Sequence, residues 1–317
     1  MDVVSLGETM ILFSPEETGQ LRYNRQFTSR VAGAETNTLI GLSKLGYRTG
    51  WISRVGGDEL GKRILSSVRG EGVDTSFVKE DGSAPTGLFI KERTTADSSR
   101  VFYYRNQSAA SKMTPADIEE NYLAKAKLLY ITGITPALSV SCKETVFHAI
   151  ELAKKNSMKI VFDPNVRKTL LDERTGRDTL IKMAALSDII LPGISEGDFL
   201  FQTTDCEKIV RECKRLGAEK VIVKLGEKGA YYSTSEESGY VHPFKVETVI
   251  DPIGAGDGFA AGVISGILDE LPIHEAVKRG CAIGAIVTTV NGDIEGLPDK
   301  ETLETYMKRT NKEDVIR

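Results

Sequence analysis

From about Lys127 onward, short apolar runs alternate with longer amphipathic stretches. Lys127-Leu128-Leu129-Tyr130-Ile131 precedes a helical pattern over Ser141 to Asn156, and Lys159-Ile160-Val161-Phe162-Asp163 follows it. Asp188-Ile189-Ile190-Leu191 leads into a helix from Ser195, and Lys220-Val221-Ile222-Val223-Lys224 comes after a helix over Asp205 to Leu216. Strands that are continuous apolar runs, each separated by an amphipathic helix, predict a parallel sheet covered on both faces. The run from Val3 to Gly7 reads as a buried first strand. Ligands of such sheets bind beyond the carboxyl ends of the strands, where Gly133, Asp163, Gly193, Gly226 and the loop at Asp251 fall. Two segments break the rhythm. Gln20 to Ser29 and Gly87 to Tyr104 alternate polar and apolar residues around a polar turn at Thr95-Ala96-Asp97-Ser98-Ser99, which predicts a small antiparallel sheet. That sheet is either a lid over the site or an edge extension of the main one.

The chain has 317 residues, 40% hydrophobic and 27% charged, enough for one large core with a smaller appendage. A net charge of −4 with dispersed Lys and Arg argues against a nucleic-acid partner, which needs a concentrated positive face. Cys142, Cys206, Cys213 and Cys281 form no C-x-x-C pair, so neither a zinc site nor a disulfide framework is suggested, and a reducing, cytoplasmic setting is expected. The apolar start is too short for a membrane span or signal peptide. His148, His242 and His274 lack H-E-x-x-H spacing and no G-x-S-x-G is present, which removes the metalloprotease and serine-hydrolase readings.

The densest chemistry lies in Asp251-Pro252-Ile253-Gly254-Ala255-Gly256-Asp257-Gly258-Phe259. Ile250 closes a strand-like run, and Phe259 to Ile264 reads as a helix of small and β-branched residues. Between them Gly254, Ala255 and Gly256 allow backbone N–H groups to approach a phosphate at a helix N-terminus. Asp257 beside a phosphate makes sense as a base that deprotonates an attacking hydroxyl. An ordinary helix N-cap explains the same aspartate equally well.

In this order the motifs resemble the ribokinase-like (PfkB) carbohydrate kinases over essentially the whole chain. Ala32-Gly33-Ala34-Glu35-Thr36-Asn37, ahead of a helix over Thr38 to Leu45 and followed by Gly56-Gly57-Asp58 and Gly61, is similar to the family's amino-terminal motif. The Asp251 to Asp257 stretch resembles its D-x-x-G-A-G-D motif, and Lys224-Leu225-Gly226-Glu227-Lys228-Gly229-Ala230 its strand and turn beside the nucleotide. The resemblance implies one ribokinase-like α/β domain over 1–317: a mainly parallel central sheet with helices on both faces, plus a small β-sheet lid from about 12–31 and 86–109. It also implies ATP and Mg2+, with Asp257 as general base and Gly254, Ala255 and Gly256 as the anion hole. Asn165, Arg167, Ser195, Lys224, Leu225, Gly226, Lys228 and Gly229 would meet the nucleotide, together with Gly254 and Gly256, and Glu196 the metal. The chain departs from the pattern at three places. Ala32 replaces the first glycine of a pair, Gly193 the asparagine of N-x-x-E, and Pro252 the threonine after Asp251. The last change leaves activation by a monovalent cation open.

The strand Val101-Phe102-Tyr103-Tyr104-Arg105 puts Tyr103 and Arg105 on one face, and Asp163-Pro164-Asn165-Val166-Arg167 ends a parallel strand with a second arginine. Two guanidinium groups on one pocket suit a carboxylate, while surface salt bridges are the ordinary alternative. This combination is similar to the family's 2-keto-3-deoxygluconate kinases. By that resemblance the sugar acid would meet Gly33, Ala34, Asn37, Phe89, Tyr103, Arg105, Ile134, Arg167, Asp257 and Asp293, with Phe89 in place of tyrosine. Fructokinases and ribokinases acting on neutral sugars are the nearest alternative, and a non-catalytic sugar-binding regulator a more distant one. A lid sheet with an apolar outer face predicts pairing between copies, a dimer or a multiple of it.

Overall fold

A computed structural model describes residues 1–95, 98–171 and 173–315. In chain order the strands are β1 (Val3–Leu6), β2 (Met10–Pro15), β3 (Phe27–Ala32), β4 (Thr49–Gly56), β5 (Asp74–Asp81), β6 (Leu88–Thr95) and β7 (Ser98–Tyr104). They continue with β8 (Leu128–Thr132), β9 (Lys159–Asp163), β10 (Ile189–Ile190), β11 (Lys220–Lys224), β12 (Ala230–Ser233) and β13 (Ser238–Val241). The helices are α1 (Ala34–Lys44), α2 (Glu59–Gly70), α3 (Glu120–Leu123), α4 (Val140–Lys155), α5 (Glu173–Ala185), α6 (Ile194–Phe201), α7 (Cys206–Arg215), α8 (Ala255–Leu268), α9 (Ile273–Val287) and α10 (Lys300–Val315).

Among the described residues nine strands form one sheet in the order β13-β12-β11-β10-β9-β8-β1-β4-β5. It is parallel from β5 to β11, and β12 and β13 add antiparallel at one edge. Alternate residues of each strand feed opposite layers. Leu128 and Tyr130 pack with α1, α8 and α9 through Leu39, Val263 and Ile283. Leu129 and Ile131 pack with α4, α5 and α7 through Ile150, Leu180 and Ile209. Both faces are therefore covered, which is why these strands carry unbroken apolar runs.

The second sheet, β3-β2-β6-β7, pairs with none of these nine strands, so it is not an edge extension. β2 pairs antiparallel with β3 and parallel with β6, and β6 pairs antiparallel with β7. The expected strand over Gln20 to Ser29 is in fact a short 3-10 turn at Leu21–Tyr23 followed by β3. The centre of the turn expected over Thr95 to Ser99, positions 96 and 97, lies outside the described residues.

Two further expectations are corrected. The helix expected from Thr38 begins at Ala34, capped by the extended backbone of Gly33 with no side-chain bond, so no capping residue marks its start in the sequence. The strand-like run ending at Ile250 forms no strand. The backbone N–H groups of Ile250 and Asp251 instead donate to the carbonyl of Thr288, past the end of α9, so side-chain character alone misleads where the backbone partners lie elsewhere.

Candidate active site

The end of β1 is fixed from across the sheet. Trp51 Nε1 and Ser53 Oγ both donate to the carbonyl of Gly7, at 3.0 and 2.7 Å. From that fixed point Glu8 enters a cavity of about 510 Å³ that lies between the carboxyl ends of the main sheet and the small sheet. The Glu35 carboxylate lies flat on Gly7, where an added Cβ would come within 2.3 Å of it, and accepts from the hydroxyls of Thr132 and Thr135 at 2.7 and 2.6 Å. Burial pushes its pKa up.

On the opposite wall α8 starts from Gly254, whose φ of 79° is left-handed and whose missing Cβ would stand 2.5 Å from the carbonyl of Asp293. Gly254 is thus the N-cap, and Asp257 sits inside the first helical turn, buried, with its carboxylate turned away from capping duty. That removes the N-cap explanation of Asp257. The first-turn amides have no intrahelical acceptor. Ala255 N makes a long bond of 3.4 Å to Pro252 O, and Gly256 faces open space, with no atom within 4 Å of where a Cβ would be. A backbone arranged in this way can receive an anion.

Asn37 Nδ2 donates to Asp257 Oδ2 at 2.8 Å and reaches Asp293 Oδ2 at 3.5 Å. Burial pushes Asp257 up to about 7; Asp163 and Asp293 add to the rise, while Asn37 and Arg167 oppose it. Asp293 is pushed up to about 6, mainly by burial, and its Oδ1 is buried with no partner among the described residues. A carboxylate poised near neutrality is what a general base requires.

A second charged cluster lies at the ends of β9 and β11. Lys224 Nζ bonds Asp163 Oδ1 and Oδ2 at 2.7 and 2.8 Å and lies 3.7 Å from Glu196. Burial pushes Asp163 up to about 6 against the pull of Lys224. Burial alone would lower Lys224, but Asp163 and Glu196 outweigh it and hold the ammonium. Glu196 also accepts from the backbone N–H of Gly193, which closes the first turn of α6, and from Val166 N at 3.2 Å.

The small sheet lays Phe89 and Tyr103 side by side on the cavity, ring centroids 5.5 Å apart, with the Arg105 guanidinium over the Tyr103 ring at 5.6 Å. Arg105 is neither a free anion receptor nor a surface residue. Its Nε and Nη2 meet Glu8 Oε2 at 2.7 and 2.6 Å in a buried pair, and Ser108 Oγ donates to the other oxygen. Among the described residues the exposed Arg167 guanidinium has no ion-pair partner, and it lines the cavity with its charge acting on Asp257.

The cavity brings together Gly33, Ala34, Asn37, Phe89, Tyr103, Arg105, Ile134, Arg167, Asp257 and Asp293, the residues expected around a sugar. Asn165, Ser195, Lys224, Glu196, Gly254 and Gly256 line it too. Ala255 does not, and Leu225, Gly226, Lys228 and Gly229 stand off it on the turn after β11. Glu8, Met10, Glu35, Lys91 and Val101 line it without having been anticipated. Two of these were readable, since Lys91 follows Phe89, and Val101 precedes Tyr103, by two residues on one strand and hence on one face. Glu8 and Glu35 left no comparable periodic signal.

The pfkB carbohydrate kinase family model matches residues 1–300. The chain is 42% identical to a 2-dehydro-3-deoxygluconokinase of Bacillus subtilis, covering 97% of this chain and 95% of that one. It is 34% identical to a 2-dehydro-3-deoxygluconokinase of Thermoproteus tenax, over 97% and 94%. An E. coli structure in complex with ATP and Mg2+ superposes with a TM-score of 0.90 at 27% identity, over 97% of this chain and 99% of that one.

Proposed function

The chain belongs to the pfkB family of carbohydrate kinases, and we propose that it transfers the γ-phosphoryl group of ATP to the 6-hydroxyl of 2-keto-3-deoxygluconate. The observation that carries this reading is the placement of Asp257: inside the first turn of α8, beside free helical amides, with burial raising it to about 7. Relatives bearing that activity support the substrate.

Asp257 takes the proton of the 6-hydroxyl as that oxygen bonds to the γ-phosphorus and the bond to the ADP oxygen breaks. First-turn amides of α8, chiefly those of Gly256 and Asp257, stabilise the charge on the phosphoryl in transit. Among the described residues no group of three or more His, Cys, Asp or Glu is arranged to cage a metal. Glu196 is already engaged by two amides and Lys224, so these residues fit a magnesium ion carried largely by phosphates and water, near Glu196. Such an ion neutralises phosphate charge. Asn37 orients Asp257, and Asp293, with an oxygen unpaired, awaits a sugar hydroxyl. Phe89 and Tyr103 make the small sheet a lid that keeps water from the phosphoryl.

Arg167 carries the carboxylate preference. Arg167→Met should raise the KM for 2-keto-3-deoxygluconate about ten- to a hundredfold, the loss of a charge-assisted pair of about 1.5–3 kcal/mol. The Glu8–Arg105 pair favours one rival, a kinase for a neutral ketose, because it consumes one of the two guanidinium charges. Comparing kcat/KM for the keto acid and fructose, in the native protein and in Arg167→Met, separates the two. Preference for fructose with no effect of the substitution would replace the sugar-acid reading.

The pH profile provides a second check. A base must be deprotonated, so kcat/KM should rise with pH through an apparent pKa of about 7 and level off above it. Below that value the slope approaches roughly tenfold per pH unit. A profile flat from pH 5 to 8 would remove Asp257 from the role.

A further inference from the structure

The loop that enters α8 is held by a contact from the other sheet. Asp251 Oδ1 accepts from the backbone N–H of Ile253 at 3.2 Å, while the backbone N–H of Asp251 donates to Thr288 O. These bonds set the turn that delivers Gly254, but they leave a nearly buried carboxylate charge, 10% exposed, without a counter-charge of its own segment. Lys91 supplies it. Its ammonium, on β6, lies 3.5 and 3.3 Å from the two carboxylate oxygens, and the side chain is only 15% exposed. Lys91 also lines the cavity, and its charge opposes the rise of the Asp293 pKa. Beside Asp251, Pro252 has no side-chain oxygen to offer an ion, and its carbonyl accepts from Ala255 N.

We propose that Lys91 is the built-in cation of the Asp251 loop: it holds the turn ahead of the anion cradle, and turnover therefore needs no added potassium or other monovalent ion. A lysine ammonium is a compact point charge, and here it takes the place on the carboxylate that a monovalent ion would need. With Lys91 on both carboxylate oxygens of Asp251 and Ala255 N on the carbonyl of Pro252, these oxygens do not suit a bound alkali ion. Lys91 is a positioning residue, acting on phosphoryl transfer through the shape of the loop. The inference rests on the kinase reading.

The test is a steady-state assay with MgATP and 2-keto-3-deoxygluconate in which tetramethylammonium is the only monovalent cation until KCl is titrated in. The native protein should hold its kcat within about twofold over the titration. Lys91→Met should lose about ten- to a hundredfold in kcat, with a smaller change in sugar KM, and added K+ or NH4+ should restore part of the loss. Lys91→Arg should keep its activity without potassium. Replacing Asp251 by Asn in the Lys91→Met protein should cost little more, since the two act as a unit. A native enzyme activated more than about tenfold by K+, or a Lys91→Met enzyme with native kcat in tetramethylammonium, would overturn the proposal. If Lys91→Met does not fold, the native titration still decides. A native protein inactive on every sugar at every salt concentration would instead count against the kinase reading itself.

Discussion

Asp257→Asn should lower kcat by about 10²–10⁴-fold while leaving the affinities for ATP and sugar close to native. The amide fills the same volume and still meets Asn37, yet cannot accept the proton. The substitution also has a stability signature with a definite sign. The folded-state pKa of about 7 lies above the ordinary aspartate value of 3.8, so Asp257 contributes most to stability below the latter, and that contribution is lost as pH rises through the former. The Asn protein should therefore lose less stability than the native one between pH 5 and pH 8, measured by denaturant unfolding. Native kcat in the variant would mean that the base lies elsewhere.

Arg105→Met should destabilise the fold by about 3–5 kcal/mol, because it strands the buried Glu8 carboxylate with only Ser108 to solvate it. Urea unfolding checks the magnitude. Replacing Glu8 by Gln in the same protein should recover much of the loss, since the unpaired charge is then gone. An Arg105→Met protein with a native unfolding midpoint would show that the pair is solvated after all. Any rise in sugar KM for this variant must be read after correcting for the unfolded fraction, which is why Arg167 is the cleaner probe of the carboxylate.

The parallel sheet was legible because its strands are buried on both faces. Lys159 to Asp163 was anticipated residue for residue as β9, and Lys220 to Lys224 as β11. The turn that opens α8 was legible because Gly254 has to be glycine, both for its left-handed backbone and for its closeness to Asp293. What escaped is pairing at long range. Glu8 and Arg105 are 97 positions apart, and Lys91 and Asp251 160 apart, and no local periodicity encodes which charge meets which. The same blindness made Arg105 look like a free anion receptor. It also made the residues before Asp251 look like a strand, when the backbone N–H groups of Ile250 and Asp251 are claimed by Thr288.

The position of β1 has a consequence for how the chain is made. It lies inside the main sheet with β4 on one side and β8 on the other, and Ser5 Oγ bonds the carbonyl of Tyr130, 125 positions downstream. During synthesis β1 can pair with β4 early, but its second edge stays bare until β8 emerges from the ribosome. At ordinary elongation speeds of about 5–20 residues per second, that exposes an apolar strand edge for several seconds or more. Val3, Val4 and Leu6, wholly enclosed in the finished protein, form that edge. The nascent chain is thus exposed to wrong partners through a strand that finally lies inside the sheet, and slower translation between β4 and β8 would lengthen that interval.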